Sequence, residues 1–102
     1  MTTFDERETA FESKFAHDAE AQFRLEARAD KKIALWAADI MGKSAADALA
    51  YVAEVIRADM KESGAEDVIA KVAEDLGTRS SAIAIREQYA AFMVEAQNEL
   101  TQ

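Results

Sequence analysis

A chain of 102 residues, half of them hydrophobic, can build one domain with a core but not two ordinary ones. Its 20 acidic against 12 basic side chains leave a net charge of −8, which argues against nucleic acid and against an anionic membrane surface as partners. There is no cysteine, which excludes disulfides and thiol chemistry, and with no proline and only three glycines the strong helix formers dominate an all-α chain.

The first element in chain order is "FDERETAFESKFAHD", Phe4 to Asp18. Read as a helix, it sets Phe4, Phe11 and Phe15 on one stripe, seven and four residues apart, and Ala19 extends that stripe. The other faces carry Asp5, Glu6, Arg7, Glu8, Glu12 and Lys14. The like-charged pair Glu8 and Glu12, four residues apart, weakens an isolated helix here, as does Thr9. Such a segment is marginal alone and becomes ordered in a groove that receives its rings. Residues 1–17 are therefore set apart as an N-terminal arm, a conditional helix. The residues alone leave two readings open. The arm lengthens the first helix and packs its rings on the bundle, or it is a tether that folds on binding a partner.

Residues 18–102 read as an irregular four-helix bundle. Three punctuation marks divide it: "MGKS" at Met41 to Ser44, "ESGAED" at Glu62 to Asp67, and "LGTRSS" at Leu76 to Ser81. Gly42, Gly64 and Gly77 are helix stops, Ser44 with Asp47 makes a loose capping box, and Ser80 or Ser81 caps the last helix. The helices are predicted at about 18–41, 45–63, 65–76 and 82–100. The first presents Phe23, Ala27, Ala34, Ala37 and Met41, widened by Ile33, Trp36 and Ile40; being apolar nearly all round at Ile33 to Ala38, it is the central helix. Trp36 belongs to the core with its indole N–H near an edge. The second presents Leu49, Val52, Ile56 and Met60, with Ala48 and Val55 flanking; the third Ile69, Val72 and Leu76; the fourth Ile85, Tyr89, Phe92, Ala96 and Leu100. Short links make sequence neighbours antiparallel.

Charge is uneven along the chain. Residues 1–23 hold six acidic and two basic side chains, whereas residues 24–43 hold Arg24, Arg28, Lys31, Lys32 and Lys43 against three acids. This basic island reads as a solvated helix face or as a contact for an acidic partner. No catalytic constellation is present. His17 is the one histidine, and the residue three before it is Lys14, so neither a di-iron bundle nor a zinc site has its ligands. "MGKS" lacks the upstream glycine of a phosphate loop. A non-enzymatic protein without metal or cofactor is expected. The longest uninterrupted apolar run, Ile33 to Ala38, is too short for a membrane span, and no signal-peptide pattern opens the chain, so a cytoplasmic location is expected.

Four blocks carry a family resemblance: "FDERETAFESKFAHDAEAQF", "ARADKKIALWAADIMG", "EDVIAKVAEDL" and "AIREQYAAFMVEA". In this order they resemble the zeta subunit family of alphaproteobacterial F-type ATP synthases, also catalogued as a domain of unknown function. The resemblance implies an intrinsic inhibitor of ATP hydrolysis, in which a four-helix bundle anchors a mobile N-terminal arm. That segment inserts between catalytic subunits of the enzyme head near the rotor. The implied partners are the alpha, beta and gamma subunits, the implied location is peripheral on the cytoplasmic side of the inner membrane, and the free protein is expected to be a monomer. The positions matching the inhibitory segment are Phe4, Asp5, Arg7, Glu8, Phe11, Glu12, Lys14, Phe15 and His17. The chain departs from the family pattern after Ala27 and Arg28, where Ala29 and Asp30 replace an Arg and an Asn and lower the local basic charge. The alternative is a small helical interaction or adaptor protein, or a homodimer built on the Phe stripe.

Overall fold

The computed structural model describes residues 3–61 and 65–100, with side chains described for 20–60 and 65–100. It contains four α-helices: α1 (Thr3–Ile40), α2 (Ala45–Lys61), α3 (Ala65–Leu76) and α4 (Ala82–Leu100). Among the described residues there is no strand. The fold is all-α, as the composition requires. The bounds of α3 and α4 are those the punctuation predicts. α2 is described to Lys61, and residues 62–64, with the expected stop at Gly64, lie outside the described residues. α1 was expected from about Asp18 or from a much earlier start; its helix begins at Thr3 and runs for 38 residues.

Local chemistry ends and restarts the helices where the sequence marks them. At the end of α1, Gly42 adopts φ +71°. The Lys43 N–H donates to the Ala38 carbonyl and the Gly42 N–H to the Asp39 carbonyl, both at 3.0 Å. These two bonds make a Schellman motif and satisfy carbonyls the helix leaves open. An added Cβ at Gly42 would meet nothing within 4 Å, so backbone angle and not space selects glycine there. Ser44 then caps α2, its Oγ accepting from the Asp47 N–H at 3.2 Å. Gly77, at φ +58°, ends α3 and opens a short 3₁₀ turn, Gly77–Arg79, which periodicity did not foresee. Of the two candidate caps of α4, Ser81 is the one used: its Oγ accepts from the Ala84 N–H at 3.1 Å.

α1 is the central helix and packs against α2, α4 and α3, while α3 also touches both α2 and α4. Its buried face is Ala29, Ile33, Ala34, Ala37 and Ala38. Tyr51, Val52 and Val55 of α2, Val68, Ile69, Val72 and Leu76 of α3, and Ile85, Tyr89 and Ala96 of α4 close on it. Trp36 and Phe92 pack against this core while half-buried. Three stripes differ from expectation, the one on α4 only at its end, where Leu100 is exposed. On α2 the buried face is turned toward Tyr51 and Val55, leaving Leu49 62% and Met60 68% exposed. On α1 Phe23 is 59% exposed and the buried face starts at Ala29.

The rotated α2 stripe is checked by alanine substitution. Ile33→Ala, at a side chain with no exposure, should cost about 2–5 kcal/mol in urea unfolding. Leu49→Ala removes a leucine that the apolar pattern assigns to the core and should cost no more than about 0.5 kcal/mol.

Candidate functional site

At 1.5 Å per residue, the 38 residues of α1 reach about 57 Å and the 19 residues of α4 about 28 Å. The molecule measures 63 × 23 × 22 Å, so α1 sets its long dimension. Ion pairs fix how α4 lies along it. Arg28 meets Glu99 at 2.8 Å, and Lys32 meets Glu95 at 3.0 Å and Glu99 at 2.9 Å. Position rises on one helix as it falls on the other, so the two are antiparallel. The C-terminal end of α4 is therefore level with Arg28, and α1 continues beyond it toward Thr3.

Burial along α1 changes at the same place. Glu20, Ala21, Gln22, Phe23 and Arg24 are all exposed, Leu25, Glu26 and Ala27 are half-buried, and Ala29 is buried completely. Within the exposed run, Arg24 pairs with Glu20 at 2.9 Å, and Gln22 donates to Glu26 at 3.1 Å. Both are helical i,i+4 contacts, which support a helix along its own length. The matched positions Phe4, Asp5, Arg7, Glu8, Phe11, Glu12, Lys14, Phe15 and His17 fall on the N-terminal part of α1. Their side chains lie outside the described ones.

The basic island lies at the surface, as a solvated helix face does, with several of its cations paired within the chain. Arg28 and Lys32 bind across to α4, and Lys43 lies over the Tyr51 ring at 5.6 Å. Most of its charge is thus spent inside the molecule. The contact with Glu99 raises Lys32 above the usual lysine range, and Lys32 with Arg28 lowers the Glu99 carboxyl below 4.5. Arg28 and Lys32, like Glu95 and Glu99, are four apart and so share a helix face; that matched spacing is the signal by which sequence reading could have paired them.

Ala29 and Asp30, the positions at which the resemblance marked a departure, are both buried in the core. Asp30 is 1% exposed and accepts a hydrogen bond at 2.7 Å from the Tyr89 hydroxyl. Burial, and then the neighbouring Asp59, push its carboxyl up to about 8. The departure therefore changes the interior of the bundle rather than its surface charge. The signal for it was available. The stripe of Phe23, Ala27, Ala34, Ala37 and Met41 passes through position 30, where an acid sits at a core position. A second polar contact binds α2 to α3: the Tyr51 hydroxyl donates to Asp75 at 2.9 Å, and Lys71 meets the same carboxylate at 3.1 Å. Burial, followed by the bonded carboxylate, raises the hydroxyls of both Tyr51 and Tyr89.

Among the described residues, no group of three or more His, Cys, Asp or Glu side chains could hold a metal ion. An open groove of about 560 Å³ runs beside Ala27, Lys31, Leu35 and Ile56, and its Arg28 and Lys32 are the cations already engaged by α4.

These features define a class: a small all-α protein whose longest helix is gripped over its C-terminal part by three shorter helices. A family model described as "ATPase inhibitor subunit zeta" matches residues 1–99. The chain belongs to that family. A protein solved by solution NMR is 42% identical to it at a TM-score of 0.71, with 78% of this chain and 94% of that chain covered. No curated protein matches the chain.

Glu99→Gln probes the α1–α4 seam. The Glu99 carboxyl is lower in the folded chain than unfolded, so its contribution exists above 4.5 and fades as pH falls through the folded value. The variant should melt below the wild type at pH 7 in low salt. The gap should close at high salt, which screens exposed pairs, and also on acidification below the folded value.

Proposed function

We propose that this chain inhibits ATP hydrolysis by an F-type ATP synthase, and that the N-terminal part of α1 enters a groove at a catalytic-subunit interface of the enzyme head. The observation that carries this reading is the exposed run Glu20 to Arg24 on a helix that begins at Thr3. The three shorter helices give that run no cover, so the bundle acts as an anchor for what lies beyond it. Membership of an ATPase inhibitor family supplies the target. The Phe4, Phe11 and Phe15 stripe supplies the contact, with Asp5, Arg7, Glu8, Glu12, Lys14 and His17 around it to set register against the walls of the groove.

The energetics suit reversible inhibition. Full burial of three phenylalanine side chains is worth roughly 1.5–3 kcal/mol each, offset by ordering of the segment and loss of rotational freedom on docking. The balance favours an inhibitor that engages one conformation of its target and can leave it. Among the described residues no helix is long and apolar enough to cross a membrane, and attachment through the enzyme head would place the chain peripherally on the cytoplasmic side.

Deletion of residues 1–17 should leave a cooperatively unfolding helical bundle and abolish inhibition of ATPase activity in a reconstituted head. Replacing Phe4, Phe11 and Phe15 together by Ala should weaken inhibition by on the order of 1000-fold, since each lost ring is worth about a factor of ten. A truncated chain that cannot fold would make residues 1–17 part of the core. Undiminished inhibition by the triple variant would move the contact elsewhere.

A further inference from the structure

We propose that Asp30, Tyr89 and Asp59 form a buried proton-binding site joining α1 to α4 and α2, and that losing its proton loosens the bundle's hold on α1 just below its exposed run. The two oxygens of Asp30 are in different situations. Oδ1 accepts from the Tyr89 hydroxyl at 2.7 Å. Oδ2 is fully enclosed and receives no hydrogen bond. Its neighbour on α2 is the half-buried Asp59, a second carboxyl within reach of Asp30. Two carboxylates cannot bond to each other, because both only accept; with one proton between them, a bond forms. A proton on Oδ2 therefore satisfies the enclosed atom, and Oδ2–H donates to Asp59.

The charged and titratable groups acting on Asp30 are Glu26 on its own helix, Asp59 on α2 and Tyr89 on α4. None is basic. The two acids oppose ionisation, burial opposes it more, and only the Tyr89 hydrogen bond favours it. The carboxyl, pushed up to about 8 in the fold from 3.8, thus binds its proton across neutral pH in the folded chain and releases it in the unfolded one. The sign follows from that difference. Stability from this site is complete below about 3.8, declines as pH rises, and is gone above about 8. Asp30 lies one residue after Ala29, where the buried face of α1 begins. Ionisation there sets an uncompensated charge in the contact that holds α1 to its neighbours, and half-buried Asp59 gives the proton a way out. The proton site stands on this geometry; a consequence for inhibition rests on the docking reading.

The full-length chain tests it without any ATPase. Carbon-13 NMR of the carboxyl groups should show Asp30 titrating near pH 8, in a step coupled to Asp59. Asp59→Asn should lower that midpoint and Tyr89→Phe should raise it. In Asp30→Asn the side-chain oxygen still accepts from Tyr89 and the amide donates to Asp59, so the variant mimics the protonated site at every pH. Its urea midpoint should stay level from pH 5 to 8.5, while that of the wild type falls. Contributions of His17 and the chain termini are common to both and cancel in the comparison. Amide exchange over residues 25–34 should quicken with pH in the wild type beyond the intrinsic rise, and not in Asp30→Asn. An Asp30 carboxyl that titrates below pH 5, or an Asp30→Asn variant with the wild-type pH slope, overturns the proposal.

Discussion

Three helices converge on one side of α1, and the rest of the structure depends on that side being made mostly of small residues. Ala29, Ala34, Ala37 and Ala38 are buried with Ile33 as the one large side chain among them. Alanine loses no rotamer freedom on burial and lets a neighbouring backbone come close. The bulk that fills the interior comes from the other helices: Val55, Val68, Val72, Leu76 and Ile85 are all fully buried. A central helix with large side chains on several sides would hold its partners apart. This one has the volume in its neighbours and can be shared among them.

A limit on length follows from the same arrangement. Helices of 17, 12 and 19 residues cannot cover one of 38. Arg28 and Lys32, bound to Glu95 and Glu99, mark where the cover ends. Exposed pairs of this kind contribute little to stability, but they fix the register of α4 along α1. They therefore decide how much of α1 stays outside the bundle. For a protein of an ATPase inhibitor family, that division separates the part that anchors from the part proposed to dock.

Asp30 is where the requirement of a dry core and the chemistry of an acid conflict. A carboxylate enclosed there would carry the full cost of burial without a cation to offset it. Tyr89 bonds one of its oxygens, and the proton proposed for the other would remove most of that cost. On that proposal the contact is tied to pH. An apolar stripe drawn through position 30 conceals this, since periodicity counts faces and does not weigh the charge of a residue that falls on one.

The sequence by itself determined what depends on near neighbours in the chain. The all-α class, the bounds of α3 and α4, the stops at Gly42 and Gly77, and the caps at Ser44 and Ser81 all follow from backbone angles and bonds spanning a few residues. The choice of face on each helix was left to the tertiary structure. On α2, Leu49, Val52, Ile56 and Met60 and the adjacent line through Tyr51 and Val55 fit the helical period equally well. α1 and α3 covered the strip between them, enclosing Tyr51, Val52 and Val55, half-covering Ile56 and leaving Leu49 and Met60 exposed, and the Tyr51 hydroxyl found Asp75 on the covered side. Phe23 likewise fits the stripe yet lies beyond the reach of α4, and the basic island found its counter-charges more than 60 positions away. A period of 3.6 residues defines candidate faces; only the neighbours packed against a helix decide which of them leaves water.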